Sequence, residues 1–292
     1  MNQPKVSIIT VNYKQPAVTC ELLDSIRELS YPNLETIVVD NGQLADDTVI
    51  YEIHLPSVKV INVKENSGFA KGNNIGIKAA TGDYYLLLNN DTEIEDGVIE
   101  RLIETLQDTS IGAVSPIIKY FDNQEIQFAG FTEINSITGR NNILQEAPKE
   151  ELTDTPYIHG AAVMTTKSVV EACGGLPEDY FLYYEELDWS RIIRSYGYSL
   201  KVLNTVSVLH KESVTTGKNS PLKVYYQTRN RVHFMRASQV RSSWMFMAYF
   251  ILISLPKNFI IHLLKGEIKH LRAFRKAFSH SIFQKKIGFQ NF

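Results

Sequence analysis

The first half of the chain alternates short apolar runs with amphipathic stretches. The apolar runs predict β-strands at 5–11, 34–39, 58–63, 84–89 and 112–118. Apolar residues at 3.6-residue spacing predict helices between them, at about 15–29, 45–53, 69–80 and 96–107. Strands that alternate with helices indicate an α/β fold, with a mostly parallel central sheet flanked by helices.

The second half is irregular as far as about residue 165 and regular again after it. The pattern there predicts a strand at 157–165, a helix from about 166, a helix at about 183–196, a strand that ends at His210 and a helix from Lys218 to Gln239. We therefore predict a main domain at 1–240, with halves at 1–118 and 119–240, and a C-terminal helical extension at 241–292.

The extension combines an apolar run with a basic segment. The run at 244–255 is twelve residues long, which is too short to span a bilayer, and Pro256 interrupts it. Leu271, Phe274 and Phe278 then follow at helical spacing among basic residues. This pattern predicts an in-plane membrane anchor. The alternative is a helical pair that packs on the main domain or on a second subunit, so a homo-oligomer is left open.

The net charge of −2 hides an asymmetry along the chain. From Arg229 onward there are twelve Lys and Arg against one acidic residue, which leaves 18 of the 30 basic and 31 of the 32 acidic residues in the first 228. The body is therefore about −13 and the tail about +11. Such a tail fits an anionic membrane surface, and its apolar neighbour argues against nucleic acid. With two cysteines and no visible secretory signal, we expect a cytoplasmic protein.

Polar residues follow the predicted strands where each strand ends. Thr10, Asn12 and Tyr13 end the first strand, and Asp40 ends the second. In open α/β sheets, ligands bind beyond the carboxyl ends of the strands. Asp40 could accept hydrogen bonds from a ribose or a base, although Asp40-Asn41-Gly42 is also typical of a tight turn.

The segment ENSGFAKGNNIGIKAA at 65–80 predicts a helix with glycines at its start. Gly68 and Lys71 would lie at its N-terminus, where free N–H groups suit a diphosphate. The alternative is an ordinary helix capped by Asn66 or Ser67. Asn73 and Asn74 inside the helix are harder to explain structurally, since Asn is a poor helix former.

The stretch LLLNNDTEI at 86–94 ends an apolar strand on Asn89, Asn90 and Asp91. One interpretation is a helix cap, with Thr92 and Glu93 opening a helix. The other is a metal site, because the Asp91 carboxylate could ligate Mg²⁺ or Mn²⁺ beside a phosphate. His210, at the end of a later strand, could be a metal ligand or a histidine hydrogen-bonded to a loop.

Three acids occur together in FLYYEELDW at 181–189. Glu185 and Asp188 are three residues apart and are expected to share a helix face, with Glu186 pointing elsewhere. Aromatic surroundings raise the pKa of a carboxyl group, which suits a general base for a hydroxyl. The alternative is acids in a first helical turn, with Asp188 or Glu185 pairing to Arg191.

In this order and spacing, the motifs resemble those of the family-2 glycosyltransferases with the GT-A fold, in particular the bacterial rhamnosyltransferase-like branch. The matching segments lie within roughly 4–240 and are VSIITVNYKQ, IVVDNG, NSGFAKGNNIGI, LLLNNDTEI, GAAVM, GGLPEDYFLYYEELDW and VLH. The resemblance implies substrate-binding roles for Thr10, Asn12, Tyr13, Asp40, Gly68, Lys71, Asn74, Asn89, Asn90 and Trp189.

The resemblance also implies a metal site and a base. Asp91 would be the last acid of a D-x-D motif and His210 a second metal ligand, while Asn89 replaces the first acid and lowers the charge of the site. Glu186 is the first choice as the base, Asp188 the second, and Glu185 a third candidate.

The implied reaction is an inverting transfer from a nucleotide sugar to a hydroxyl of a glycan or lipid-linked saccharide. Mg²⁺ or Mn²⁺ would stabilise the departing diphosphate. We expect this reaction at the inner face of the cell membrane. The alternatives are a nucleotidyltransferase, whose Gly-rich N-terminal signature is missing, and a non-catalytic protein of the same fold that binds a nucleotide sugar.

Overall fold

The structure is a computed structural model that describes residues 3–42, 46–211, 220–237, 243–283 and 288–290 of the 292-residue chain. The predicted ends of the 218–239 helix therefore lie outside the described residues. The strands are β1 (Val6–Asn12), β2 (Leu34–Asn41), β3 (Lys59–Val63), β4 (Tyr84–Leu88), β5 (Thr92–Ile94), β6 (Ile111–Tyr120), β7 (Ile126–Phe128), β8 (Leu152–Asp154), β9 (Ala162–Thr166) and β10 (Ser199–His210).

The helices flank the sheet and form the C-terminal part of the chain. They are α1 (Pro16–Arg27), α2 (Thr48–His54), α3 (Phe69–Ala79), α4 (Val98–Thr105), α5 (Lys167–Cys173), α6 (Glu185–Ser195), α7 (Pro221–Ala237), α8 (Ser243–Leu264, with a π-helical segment at Phe250–Ser254) and α9 (Ile268–Phe283). The predicted α/β fold with a central sheet is confirmed.

The sheet runs in the order β3-β2-β1-β4-β9-β6-β10-β5, with β7 beside β6 and β8 beside β10. Strands β1 to β4 pair in parallel, as the pattern predicts, and β6 pairs in parallel with β10. The sheet as a whole is mixed, because β9 inserts between β4 and β6 and runs antiparallel to both. Strand β9 therefore joins the two halves of the domain into one sheet.

The parallel strands are apolar on both faces because helices cover both sides. Ile8 and Ile9 of β1, neighbours on opposite faces, are both fully buried, in two separate apolar clusters. Helix α3 lies close against this sheet through its glycines. A Cβ atom on Gly76 would come within 2.3 Å of Ile9, and one on Gly72 within 2.8 Å of Val11. The glycines of the α3 segment thus have a packing role.

Two local predictions are wrong. Thr92 and Glu93 do not open a helix, because residues Thr92–Ile94 form β5, which pairs antiparallel with β10. Neither Asn66 nor Ser67 caps α3: the residue at that position is Gly68, and no side chain caps the helix. Both polar residues bind Asn41 instead, the Ser67 hydroxyl donating to Asn41 Oδ1 and Asn66 Oδ1 accepting from Asn41 Nδ2.

The C-terminal extension also differs from its prediction. The apolar run does not stop at Pro256 but continues as α8, a helix of 22 residues. By length and composition α8 could cross a membrane, so the prediction that this segment is too short is wrong. Proline is tolerated there because it lies in the first turn after a π-helical segment.

One face of α8 packs on the protein through Phe246, Phe250 and Ser254, and the rest of the helix is largely exposed. Helix α9 does not expose the predicted apolar stripe. Phe274 is buried, and Phe278 stacks on Phe250 with 6.1 Å between the ring centroids. Its apolar face is therefore covered by protein.

Gly68 and Gly174 provide a matched test of how much the close contact between α3 and the loop before α6 restricts the residue at position 68. Both have nearly the same backbone, with φ/ψ of 85°/177° and 81°/172°. A Cβ atom on Gly68 would lie 2.4 Å from the Phe181 carbonyl oxygen, whereas one on Gly174 meets nothing within 4 Å. We expect Gly174→Ala to lower the free energy of unfolding by about 1–3 kcal/mol through backbone strain alone.

Gly68→Ala adds the collision with the Phe181 carbonyl and should therefore cost at least about 1 kcal/mol more. Urea unfolding of the two variants and the wild type measures the difference. An equal loss in the free energy of unfolding of the two variants would show that α3 and the Phe181 loop can move apart without loss of stability.

Candidate active site

The carboxyl ends of β1, β2 and β4 are joined by buried hydrogen bonds. Asn12 Nδ2 donates to Asp40 Oδ1 over 2.9 Å, and the Tyr51 hydroxyl donates to Asp40 Oδ2 over 3.0 Å. Asn12 Oδ1 accepts from the Thr19 hydroxyl at 3.1 Å and from Asn90 Nδ2 at 3.3 Å. These contacts fix the relative positions of the three strand ends.

A cavity of about 370 Å³ lies over these strand ends and is called the strand-end cavity. Eight of the predicted site residues line it: Tyr13, Gly68, Asn89, Asn90, Asp91, Glu185, Glu186 and His210. Seven do not: Thr10, Asn12, Asp40, Lys71, Asn74, Asp188 and Trp189. The structure therefore brings together the residues predicted for metal binding and two of the three predicted acids.

The predicted site residues that do not line the cavity are buried behind its wall, exposed on α3 or bound to other parts of the backbone. Thr10, Asn12 and Asp40 are fully buried behind it. Lys71 is exposed in the first turn of α3. Asn74 binds both the backbone N–H and the carbonyl of Leu176, at 2.9 and 2.8 Å, which explains this Asn within a helix.

Asp91 and His210 face each other in the wall of the strand-end cavity. His210 Nε2 lies 3.1 Å from Asp91 Oδ1, and its Nδ1 lies 2.7 Å from Gln127 Oε1. Because Gln127 Oε1 is an acceptor, Nδ1 must carry a proton, so neutral His210 presents a lone pair to the carboxylate. Two acceptors at this distance need a proton or a cation between them.

A divalent cation fits this donor set. Asn89 lines the same cavity, and its side-chain oxygen is buried and has no hydrogen-bond partner among the described residues. Within the described part of the chain, no group of three His, Cys, Asp or Glu forms a metal site. Asp91, His210 and Asn89 would therefore hold Mg²⁺ or Mn²⁺ with the help of ligand oxygens, and such an ion would neutralise phosphate charge.

His159, which is not among the predicted site residues, lies beside this group, with 6.4 Å between its ring centroid and that of His210. Its Nδ1 accepts from the Ala161 N–H at 3.1 Å, so its proton is on Nε2. Burial lowers the pKa of His159 to about 3. It is therefore a neutral donor. The signal for it was its place before Gly160 at the start of a strand; Gln127 gave no sequence signal at all.

Glu185 and Glu186 line the cavity wall together with the Asp91 carboxylate. Burial raises the pKa of Glu186 to about 7. Burial and the charge of Glu186 raise the pKa of Glu185 well above its usual range. The pair therefore holds one proton near neutral pH, on Glu185, and leaves Glu186 as the group that can accept another.

Glu185 and Asp188 were predicted to share a helix face, but only Glu185 of the two lines the cavity. Asp188 accepts from Arg191 Nε at 2.7 Å and lies outside the cavity, so the pairing alternative is confirmed for Asp188. Trp189 is also buried away from the cavity, where its indole N–H donates to the Gly174 carbonyl at 2.9 Å. Glu185 and Glu186 face the cavity because they begin α6, where the chain leaves a sharp turn.

That turn is strained. Tyr183 and Tyr184 have φ of 68° and 77°, a region that bulky residues rarely adopt. Asn230, fully buried on α7, holds the turn by donating to the carbonyls of Leu182 and Tyr183, both at 2.8 Å. Backbone strain of this kind is typical of functional sites. Asn230 gave no recognisable sequence signal.

A second cavity, of about 540 Å³, lies on the other side of Glu186 and is called the helix cavity. Its wall includes Arg140 and, from α7 and α8, Arg231, Asn258 and His262. The two cavities share four wall residues: Ile143, His159, Tyr183 and Glu186. Both cavities therefore border the Glu186 side chain.

Comparison with known sequences supports one family. Residues 7–174 match the model of glycosyl transferase family 2. The chain is 28% identical over 233 residues to the low-salt glycan biosynthesis hexosyltransferase Agl10 of Haloferax volcanii, covering 77% of this chain and 74% of that protein. It is 24% identical over 237 residues to the dTDP-rhamnosyl transferase RfbF of Shigella flexneri, covering 74% and 75%.

Solved structures agree on the fold. The mannosyltransferase PcManGT of Pyrobaculum calidifontis, in complex with GDP-Man and Mn²⁺, superposes with a TM-score of 0.62 at 18% identity, covering 98% of this chain and 89% of that one. S. aureus TarS 1-349 in complex with UDP-GlcNAc gives 0.62 at 16% identity, covering 95% and 81%.

These matches confirm the predicted resemblance and GT-A fold, and they decide against the nucleotidyltransferase alternative. The family match covers more than half of the chain and spans the strand ends, Asp91 and the β9 segment. The chain therefore belongs to glycosyl transferase family 2 and is a glycosyltransferase.

Proposed function

We propose that this glycosyltransferase is inverting and metal-assisted, and that it moves a sugar from a nucleotide-sugar donor to a hydroxyl of a glycan or lipid-linked saccharide. The observation that carries the proposal is the position of Glu186, in the shared wall of two cavities. An inverting displacement needs a base between donor and acceptor, on the face opposite the leaving group.

The donor would occupy the strand-end cavity. Tyr13 and Asn41 line its nucleoside end, and Asp91, His210 and Asn89 line the part where a diphosphate would lie. A divalent cation there supplies charge stabilisation for the departing diphosphate. Complexes of distant structural relatives with GDP-Man and Mn²⁺ agree with this assignment.

The acceptor would occupy the helix cavity and present its hydroxyl to Glu186. The Oε2 atom of Glu186 is buried and has no hydrogen-bond partner among the described residues, which leaves one carboxylate oxygen whose acceptor capacity the protein does not use. Glu185, which holds the proton of the pair, would favour the deprotonated form of Glu186 by hydrogen bonding and so oppose part of the rise in the Glu186 pKa that burial causes.

The enzyme would work at a membrane surface, attached through α8. Large apolar side chains of α8 and its C-terminal end are exposed: Trp244, Ile251, Leu252, Ile253, Phe259, Ile260, Leu263 and Leu264. Because the opposite face of the same helix packs on the protein, we propose that α8 lies in the plane of the interface rather than across the bilayer. The basic residues of α9 would lie near anionic headgroups.

The base assignment is tested with paired amide substitutions. We expect Glu186→Gln to lower the transfer rate by about 10²–10⁴-fold with nucleotide-sugar binding retained, because only proton removal is lost. Asp188→Asn should mainly lower stability, since Asp188 pairs with Arg191 outside the cavity. Transfer and donor binding are measured for both. Near-normal turnover in Glu186→Gln with loss in Asp188→Asn would move the base to Asp188, and full turnover in both would exclude both.

The raised pKa of Glu186 predicts that the transfer rate depends on pH. Because Glu186 acts when deprotonated and its pKa is raised to about 7, kcat/KM for transfer should rise with pH up to and through pH 7. The folded state favours the protonated carboxyl, so stability should fall as pH rises from the usual value of 4.5 towards 7. Glu186→Gln should lack this part of the fall. A rate profile that is flat from pH 6 to 8 would contradict the assignment.

The metal site is tested by two substitutions that should change the affinity for Mn²⁺ in opposite directions. We expect His210→Ala to weaken Mn²⁺ binding in the presence of a nucleoside diphosphate by about tenfold or more, since a ligand is lost. Asn89→Asp should strengthen it, because it adds a negative charge. His54→Ala, at a histidine that pairs with Asp24 and does not line the cavity, is the control. Electron paramagnetic resonance titration of Mn²⁺ measures all three, and unchanged affinity in His210→Ala would remove His210 from the site.

Membrane attachment is tested on the full chain by flotation with vesicles of phosphatidylcholine and phosphatidylglycerol. Leu252 is 73% exposed and Ile260 52% exposed on α8. The double variant with Gln at both positions should bind about tenfold or more weakly, because each side chain loses apolar burial. Ile53→Gln, at a residue 72% exposed on α2, should bind like the wild type. Equal binding of all three proteins would exclude α8 as the anchor.

A further inference from the structure

A short segment near the C-terminus contacts the strand-end cavity from outside. Residues 288–290, called the C-terminal segment, include Phe289, whose ring centroid lies 6.1 Å from that of Tyr13 and 6.1 Å from that of Phe181. Both ring pairs are tilted by 53°. Aromatic rings attract each other at such distances when they do not lie face to face. Phe289 therefore joins the loop after β1 to the loop before α6.

Both partners of Phe289 line the strand-end cavity. Tyr13 follows β1 at the nucleoside end. The Phe181 carbonyl accepts from the Phe69 N–H over 2.8 Å, where α3 begins, and the chain after Phe181 leads to Glu186. Phe289 thus contacts two walls of the same cavity that come from distant parts of the chain.

The C-terminal segment is held by a buried hydroxyl group. Tyr226 of α7 is fully buried, and its hydroxyl donates to the Gly288 carbonyl over 2.9 Å. The backbone of Gln290 hydrogen-bonds the same hydroxyl. A buried tyrosine hydroxyl without partners is unfavourable, so these two bonds stabilise the segment in this position. They hold the backbone on both sides of Phe289, which determines where its ring lies.

Phe289 lies at the rim of the strand-end cavity. It is not among the residues that line the cavity, whose volume is about 370 Å³ with the segment in place. A segment that blocked the donor would instead fill that space. Phe289 is not a core residue either, because 41% of it is exposed. Its contacts with Tyr13 and Phe181 are therefore its main structural effect.

Tyr13 is the partner whose ring the sheet does not fix, because pairing between β1 and β2 ends at Asn12. The ring is close to the loop after β2, where a Cβ atom on Gly42 would come within 3.1 Å of it. Phe289 adds a second contact. A side chain that is already held in place loses less freedom when a ligand binds, and such preorganisation raises affinity.

We propose that Phe289 is a positioning residue for the donor nucleoside: with the C-terminal segment bound to Tyr226, it holds the Tyr13 ring where that ring contacts the nucleoside. This inference rests on the proposed function, in which the donor nucleotide binds in the strand-end cavity. The segment follows α9, which packs on α7 in a cluster that includes Phe181 and Tyr226. The C-terminal region thus takes part in donor binding as well as in the proposed membrane attachment.

The test is titration calorimetry of the full chain with Mg²⁺ and three nucleoside diphosphates: UDP, dTDP and GDP. The nucleotide that the wild type binds most tightly is used for the variants. We expect Phe289→Ala to weaken its binding about threefold or more, because Tyr13 loses a contact that holds it. Tyr226→Phe, which keeps the ring and loses both hydrogen bonds to the segment, should weaken it too. The double variant should bind within about twofold of Phe289→Ala, since both changes act through one contact.

Inorganic pyrophosphate distinguishes a positioning role from a general loss of structure. Its affinity should stay within about twofold of the wild-type value in Phe289→Ala, because it has no nucleoside and binds away from Tyr13. The matched control is Phe283→Ala, at a residue of α9 that is 82% exposed, which should leave the nucleotide affinity unchanged.

Unchanged or tighter nucleotide binding by Phe289→Ala would overturn the inference, and so would an equal loss of pyrophosphate affinity or an equal loss in Phe283→Ala. Additive losses in the double variant would show that Tyr226 does not act through Phe289. The proposed function fails by a different result, in which the wild type binds none of the three nucleotides. There would then be no nucleoside to position, and the inference would fail with it.

Discussion

The buried Asn12 amide is the contact on which the rest of the site depends. It joins β1 to the Asp40 carboxylate of β2 and to the Asn90 amide after β4, and so adds side-chain hydrogen bonds to the backbone pairing at these strand ends. Asp40 is fully buried, and without Asn12 it would keep only part of its hydrogen bonds. Because a buried carboxylate without partners is costly, this contact also favours one register at the sheet edge where Asp91 lies.

Glu186, the proposed base, follows a turn whose backbone conformation is energetically unfavourable. Tyr183 and Tyr184 hold a backbone conformation that costs about 1–3 kcal/mol per residue. The two hydrogen bonds of Asn230 and the stacking of Phe181 on Tyr226, with centroids 5.2 Å apart, offset that cost. The turn is thus held by α7, a helix that contributes no predicted catalytic residue. The same turn starts α6 with its two acids in the cavity wall.

Much of the fold and about half of the candidate site could be predicted from the sequence. Apolar periodicity predicted β1 to β4 and the helices between them, because parallel strands covered on both faces are apolar throughout. Strand-end position predicted Asp91 and His210. The β5 strand was missed because three residues carry no periodicity and pair only with distant β10.

The site residues that could not be predicted act through tertiary contacts. Gln127 and Asn230 lie far apart in sequence from the groups they bind, and no local pattern marks them. Conversely, Asn74 and Trp189 lie in the family motifs, yet in this structure they hold the backbone near Leu176 and Gly174. Family motifs therefore locate a region more reliably than they assign a role to each side chain.

The continuity of α8 has a thermodynamic consequence. The helix that exposes Leu252 and Ile260 also places Asn258 and His262 in the wall beside Glu186, so these two surfaces cannot move independently. If the position of α8 at a membrane changes the affinity of the helix cavity for its ligand, linkage requires the ligand to change the membrane affinity by the same factor. A loaded enzyme and an empty one would then differ in how long each stays on the bilayer.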